Sequence, residues 1–139
     1  NWHNIIVYYD HSATDIFFYT DGVQTKTYGV SYGSKSISGA NAVIGTRSYD
    51  TDMQEITASI GTFAIFNAAL TAQNISDLSG NSGFDASSIS GCQGWWRMGD
   101  GAGDATSGTG GTIADQTSNS NDGTLQDDAE VVSDTVDRA

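Results

Sequence analysis

Two runs of aromatic and β-branched residues near the N-terminus flank a two-residue turn signal, and this pattern limits the fold more than any other feature. Residues 15–20 read D-I-F-F-Y-T, Asp21 and Gly22 follow, and residues 23–28 again resemble a strand. Asp-Gly between such runs favours a type I′ turn, because both central positions of that turn need positive φ. The segment therefore predicts an antiparallel hairpin, and residues 3–9 predict a further strand just before it.

The rest of the chain repeats short strand signals separated by turn residues. Further strands are predicted at residues 41–46, 59–67 and 94–100, with short fragments at 112–115 and 123–125. Gly is abundant at 17 residues and Pro is absent, and residues 101–111 are predicted to form a Gly-rich loop. One short helix is predicted near residues 70–78, with Thr71 as its N-terminal cap and Gly80 as its stop. The pattern is typical of an all-β protein with many turns.

Length and charge narrow the class of protein. The 139 residues suit a single domain over 1–139, and the 17 acidic residues against five basic ones give a net charge of −12. This charge argues against binding to nucleic acid or to anionic membrane surfaces, and no stretch is long enough to cross a membrane. Cys92 is the single cysteine, which excludes an intrachain disulfide and a cysteine-based metal cluster.

The excess of acidic residues has two possible explanations: it keeps the protein soluble, or some Asp-rich loops hold Ca²⁺. Of the 17 acids 15 are Asp, which favours turns because its short side chain bonds to nearby backbone. Ca²⁺ takes six to eight oxygen ligands, so converging Asp side chains would need help from backbone and Asn oxygens. The candidate calcium ligands are Asp10, Asp15, Asp50 and Asp52, and a second acidic set comprises Asp100, Asp104, Asp115 and Asp122. The alternative is that all of these Asp residues only form turns.

The residues needed for catalysis are sparse. Glycosidases use two carboxylates that face each other across the bond, but the only glutamates are Glu55 and Glu130, far apart in the sequence. His3 and His11 have no Ser or Cys partner at a recognisable spacing. We therefore expect the chain not to be an enzyme.

Aromatic residues offer a different function, because sugar rings stack on aromatic faces with polar groups nearby. Trp95 and Trp96 alternate across a predicted strand, so one is expected to point inward and the other outward. The candidate glycan-binding residues are Trp95, Trp96, Arg97 and Tyr49. The alternative is that these aromatics fill a thin β core.

Four segments also resemble a known family. They are W-H-N-I-I-V-Y-Y-D with F-Y-T-D-G-V, A-V-I-G at residues 42–45, I-G-T-F-A-I-F-N-A-A-L-T at 60–71, and G-W-W-R-M-G-D with I-A-D and N-D-G-T-L. Their order is similar to that in laminin-G-like, concanavalin A-like domains, and the last segment is similar to modules of marine bacteriophage virion proteins.

The resemblance implies an antiparallel two-sheet jelly-roll sandwich, and it places the module on a virion surface or in another extracellular assembly. It implies a structural or adhesive role in a decoration, fibre or tail protein, with other virion subunits and a cell-surface glycan as partners. The alternative is a carbohydrate-binding module of a secreted bacterial protein. Some six strands of a usual jelly roll are missing before residue 1, so we expect the chain to be the C-terminal part of a longer one, or a neighbouring chain to supply strands.

Overall fold

The computed structural model describes residues 2–10, 12–30, 43–45, 57–80, 83–106, 108–126 and 129–131. In chain order the strands are β1 (Ile5–Asp10), β2 (Asp15–Thr20), β3 (Val23–Gly29), β4 (Phe63–Phe66), β5 (Cys92–Trp96), β6 (Gly108–Thr109), β7 (Thr112–Ile113), β8 (Gly123–Thr124) and β9 (Glu130–Val131). Within these ranges one helix, α1 (Ala72–Gly80), lies between β4 and β5, and a single 3-10 turn covers Ala86–Ser88. The described fold is therefore mostly β with one short helix, as the sequence predicts.

Strands β1, β2 and β3 form an antiparallel sheet in that order. Asp21 and Gly22 connect β2 to β3 with φ values of 51° and 78°, so both central residues of the turn have the positive φ that the Asp-Gly signal predicts. A bulge between Phe18 and Tyr19 shifts the pairing with β3 near this turn. The predicted hairpin and the strand before it are confirmed, and these three strands form the largest sheet of the described residues.

The two faces of this sheet differ in burial. Ile6 is buried, and beside it on the same face the rings of Tyr8 and Phe17 stack with centroids 4.8 Å apart. On the opposite face Ile5 and Val7 are 61 % and 53 % exposed, although both are apolar. A strand whose two faces are both apolar usually lies between two layers, so the exposure of one face is unusual.

Helix α1 begins with a reciprocal cap. The Thr71 hydroxyl accepts a hydrogen bond from the Asn74 amide, while the Asn74 side-chain oxygen accepts one from the Thr71 amide. The helix end then contacts the first sheet, because the Asn4 side-chain amide donates to the Leu78 carbonyl and accepts from the Ser79 hydroxyl. The predicted cap is confirmed, but the helix covers Ala72–Gly80, so Gly80 is its last residue and not a stop that follows residue 78. Ile75 is the buried residue of the helix.

The second half of the described chain consists of small pairings around β5. Strand β4 pairs with β5, β6 with β9 and β7 with β8, all antiparallel, and a bridge joins Trp96 to Asp115. The core of the described residues is thin, since none of their side chains is completely buried. Their buried apolar residues are Ile6, Ile75, Ala86, Ile89, Ile113 and Val131.

Several predicted boundaries change. Residues 43–45, the described part of the strand predicted at 41–46, are not a strand, and residues 44 and 45 form a bend. Gly45 adopts a φ of 91°, which an extended strand does not use. The strand predicted at 94–100 ends at Trp96, since Met98 and Gly99 also have positive φ. The Gly-rich segment 101–111, predicted to be a loop, contains β6, which pairs with β9.

The strands form small sheets, and the jelly-roll sandwich stays a prediction. None of the described helices is long and apolar enough to cross a membrane.

Candidate functional site

Strand β5 places its two tryptophans on opposite faces. In the pairing with β4, Trp96 lies opposite Phe63 and Trp95 lies opposite Ala64. Consecutive residues of a strand point to opposite faces, so Trp95 and Trp96 cannot line the same surface. Both indoles are half-buried, whereas the alternation predicts one inward and one outward ring. The thin core explains the difference, because neither face of this two-stranded sheet is fully covered.

The Trp96 ring is fixed by its own strand and by a distant loop. It lies over Gly94, which is two residues earlier on the same face, so closely that a Cβ at Gly94 would overlap the indole. The Phe63 ring lies beside it at a centroid distance of 5.8 Å, and the indole N–H donates to the Asn121 carbonyl over 2.9 Å. These contacts hold Trp96 in one position, which is the behaviour of a packing residue.

Trp95 stands on the other face together with Arg97. The indole N–H of Trp95 donates to the Thr62 hydroxyl over 3.0 Å, and the Arg97 guanidinium carbon lies 5.8 Å from the centre of the ring. That distance is near the outer limit of a cation–π contact, so Arg97 is held only loosely. A partly exposed ring with a guanidinium at its side is a combination that could stack on a sugar and bond to its hydroxyls.

The loop after β7 holds β5 through one buried carboxylate. Asp115 is 8 % exposed, and its oxygens accept hydrogen bonds from the amides of Trp95, Thr117 and Asn121 and from the Thr117 hydroxyl, at 2.9–3.0 Å. Burial by itself raises the pKa of Asp115, but these amide and hydroxyl donors together outweigh it and hold the pKa below its usual value. Asp115 thus connects the backbone of β5 to residues 117–121.

Two other acids of the second predicted calcium set also accept backbone amides. Asp104 accepts hydrogen bonds from the amides of Gly99, Gly101 and Ala114, and Asp122 accepts one from the Asp115 amide. Carboxylate oxygens that already accept several N–H groups act as loop supports. Both side chains therefore link loop segments, and calcium binding by this set stays a prediction.

The first predicted calcium set is only partly described. Asp10 and Asp15 lie opposite each other across β1 and β2, and one Asp10 oxygen accepts hydrogen bonds from the Ser12 amide, the Ser12 hydroxyl and the Ala13 amide. Asp50 and Asp52 lie outside the described residues, as does the predicted glycan residue Tyr49. Among the described residues, no three His, Cys, Asp or Glu side chains come together as a metal site.

An open groove of about 290 Å³ lies between the β2–β3 turn and α1. Near it the His3 Nδ1 atom is 2.9 Å from an Asp21 carboxylate oxygen, and the Asn4 amide donates to the other Asp21 oxygen. The hydrogen bond with His3 is the main reason that the pKa of Asp21 lies below its usual value. Both His3 and Asp21 are about half exposed, so the pair resembles a surface contact more than a catalytic dyad.

Sequence reasoning missed the residues that position the two indoles. Thr62 and Asn121 bond to them, and Gly94 makes room for Trp96. The sequence could have indicated the role of Gly94, because a glycine directly before two tryptophans leaves room for a ring. The hydrogen bonds could not be predicted in this way, since Trp95 and Thr62 are 33 residues apart and Trp96 and Asn121 are 25 apart. Only the folded chain brings those positions together.

Comparison with known proteins identifies a family. No curated protein and no solved structure matches the chain. The laminin G family model described as the concanavalin A-like lectin/glucanases superfamily matches residues 1–76, which is more than half of the 139 residues. The match covers the three-stranded sheet, β4 and the start of α1, while Trp95 and Arg97 lie beyond it. The chain belongs to the concanavalin A-like lectin/glucanase superfamily.

Proposed function

We propose that this chain is a non-catalytic adhesive module that binds carbohydrate through Trp95 and Arg97. Family membership supports the proposal, since domains of this superfamily often bind carbohydrate. The single observation that carries it is the Trp95 ring, which is partly exposed, bonded to Thr62 and accompanied by a loosely held guanidinium. Displacing Arg97 from the ring would open an aromatic face and leave a donor group at its edge.

The larger context of the module is part of the same proposal. The G-W-W-R-M-G-D segment is similar to modules of marine bacteriophage virion proteins, which supports a decoration, fibre or tail protein on a virion surface. A jelly-roll sandwich completed by further strands would present the site, and divalent ions in a salty medium would screen the net charge of −12. Recovery of this polypeptide at high copy number in a purified particle would support the virion role. A soluble secreted form would favour the carbohydrate-binding module of a bacterial protein.

The binding site is tested by a glycan array with wild-type protein and three variants. Trp95→Ala and Arg97→Ala should each lower glycan binding at least tenfold, because the first removes the stacking surface and the second removes the hydrogen-bond donors. Trp2→Ala is the matched control, since Trp2 is 42 % exposed and lies before β1. Circular dichroism confirms that each variant is folded.

Two results would contradict the proposal. The first is glycan binding that persists in folded Trp95→Ala and Arg97→Ala proteins, because the site would then lie elsewhere. The second is turnover of a β-glucan by the purified chain, because the module would then be an enzyme.

A further inference from the structure

Arg97 is a cation without a carboxylate partner in a strongly acidic chain. With 17 acidic residues against five basic ones, a nearby carboxylate is the expected arrangement for each cation. Within the described residues, however, the ion pair is His3 with Asp21, and no carboxylate oxygen lies within 4 Å of the Arg97 guanidinium. Arg97 is also only partly exposed. A cation that is partly removed from water favours an anion as partner, and a ligand is one source of that anion.

Thr62 and Arg97, which both contact the Trp95 ring, leave hydrogen-bond donors free for a ligand. The Thr62 hydroxyl is used in both directions, because it accepts from the Trp95 indole N–H over 3.0 Å and donates to the Trp96 carbonyl over 3.2 Å. The Arg97 guanidinium has only donors, and none of them makes a hydrogen bond within the described residues. A sugar hydroxyl both donates and accepts, whereas a carboxylate or sulfate group only accepts. The free donors of this site therefore match an anionic group better than a hydroxyl.

The net charge of −12 limits how many charges such a ligand carries. Asp104 and Asp115 in the segments after β5 each accept several backbone amides, which balance their charges inside the loops. At physiological salt, charges more than about 8 Å away are largely screened, so one anionic group can approach Arg97. Asp100 is exposed three residues after Arg97 and adds to the repulsion that a dense polyanion meets.

We propose that the site at Trp95 takes a glycan with a single anionic group, a carboxylate or a sulfate ester, beside neutral sugar rings. This inference rests on the proposed carbohydrate-binding function and names the ligand class of the same site. A sugar ring stacks on the exposed part of the indole, and the anion accepts the N–H groups of the guanidinium, which moves from the ring towards it. Carboxylate and sulfate share this chemistry, since both present oxygen atoms to the guanidinium fork.

Isothermal titration calorimetry at about 150 mM NaCl tests the proposal with matched trisaccharides. The probes are trisaccharides of glucose, galactose and mannose, each in a neutral form, with one terminal C6 carboxylate and with one terminal C6 sulfate. We expect an anionic form to bind at least about tenfold more tightly than the neutral form of the same sugar, because charge-assisted hydrogen bonds are roughly twice as strong as neutral ones. The anion that gives the gain identifies its source. A heparin fragment, as a dense polyanion, should bind more weakly than the best singly charged probe.

Folded variants assign the preference to the guanidinium. Arg97→Gln should reduce the preference for the anionic form to less than about twofold, because it keeps an N–H donor but removes the charge. Arg97→Lys should keep part of the preference, since an ammonium lacks the planar fork. Lys26→Gln is the matched control and should keep all of it, because Lys26 also lies over an aromatic ring, 4.6 Å from the centre of Tyr28, but on β3 in another sheet.

The possible failures separate this inference from the proposed function. Trp95-dependent binding of neutral and anionic forms with equal strength overturns the ligand class and leaves carbohydrate binding at Trp95 standing. Tighter binding of the heparin fragment overturns the single anionic group, and a preference that survives in folded Arg97→Gln protein overturns the role of the guanidinium. If no probe binds in a way that Trp95→Ala abolishes, the proposed function and this inference both fail.

Discussion

Replacing the buried carboxylate of Asp115 by an amide tests the architecture of the site most directly. Asp115→Asn keeps the shape but removes the charge, and one side-chain oxygen becomes an N–H donor. If the remaining oxygen keeps its bonds to the Trp95 and Thr117 amides, the new NH₂ group faces the Asn121 amide, which is also a donor. The Thr117 hydroxyl can rotate and accept, but the Asn121 amide loses its partner in a site that is only 8 % exposed.

The loss of stability caused by Asp115→Asn follows from these hydrogen bonds. A buried donor left without a partner costs about 1–3 kcal/mol, and the surviving bonds lose the extra strength that a charged acceptor gives. We therefore expect the free energy of unfolding to fall by roughly 2–4 kcal/mol, a large part of the total of about 5–15 kcal/mol that a domain has. The melting temperature should fall by roughly 10 °C.

Urea denaturation followed by tryptophan fluorescence measures this change, because Trp95 and Trp96 flank the Asp115 contacts. Asp77→Asn is the matched control, since Asp77 is on α1 and its bond from the Gln73 side chain is exposed. The control should stay within about 0.5 kcal/mol of wild type. If Asp115→Asn lowers the free energy of unfolding no more than Asp77→Asn does, the carboxylate does not hold β5 to the loop and the reasoning is wrong.

The same carboxylate predicts a pH dependence. The pKa of Asp115 is lower in the folded protein than in the unfolded chain, where it is about 3.9. Ionised Asp115 therefore contributes fully to the free energy of unfolding above that value, and this contribution is lost as the pH falls through the folded pKa. Wild type should lose more stability than Asp115→Asn when the pH is lowered from about 5 to 2. Parallel stability curves for the two proteins would contradict the assignment.

The remaining predictions concern packing, the surface pair and metal. Gly94→Ala should destabilise the fold by about 1–3 kcal/mol because the new methyl group overlaps the Trp96 ring, while Gly80→Ala has open space and should be neutral in the same denaturation assay. His3→Ala should raise the pKa of Asp21 towards its usual value, and an unchanged carboxylate titration by NMR would contradict the contact. If the Asp-rich loops hold Ca²⁺, millimolar CaCl₂ should raise the melting temperature above that in EDTA, with NaCl of equal ionic strength as the control. Identical melting curves would end the calcium prediction.

The sequence predicted the local elements well where a short pattern contains all the information. The Asp21-Gly22 turn, the strands on either side and the Thr71 cap depend on neighbouring residues, so the chain specifies them directly. Strand boundaries were less accurate, because the end of β5 depends on the backbone conformation of Met98 and Gly99.

The candidate site was predicted only as a group of residue types. The sequence placed Trp95, Trp96 and Arg97 together, but the pairing of β5 with β4 decided that Arg97 accompanies Trp95. The sequence also left two alternatives for Asp115, a calcium ligand or a turn former, and it did not reveal that the side chain accepts hydrogen bonds from the Trp95 and Asn121 amides. These contacts join residues 20 and six positions apart, which periodicity alone does not reveal.

By itself, the sequence determined the mostly β class, the type I′ hairpin, the net charge of −12 and membership of the superfamily. Propensity, turn geometry and charge are properties of single residues and their neighbours, so they can be read along the chain. Only the tertiary structure decided which face of the first sheet is left exposed and which indole stands beside Arg97. Burial and side-chain contact depend on residues that are distant in the sequence, and folding alone determines which of them meet.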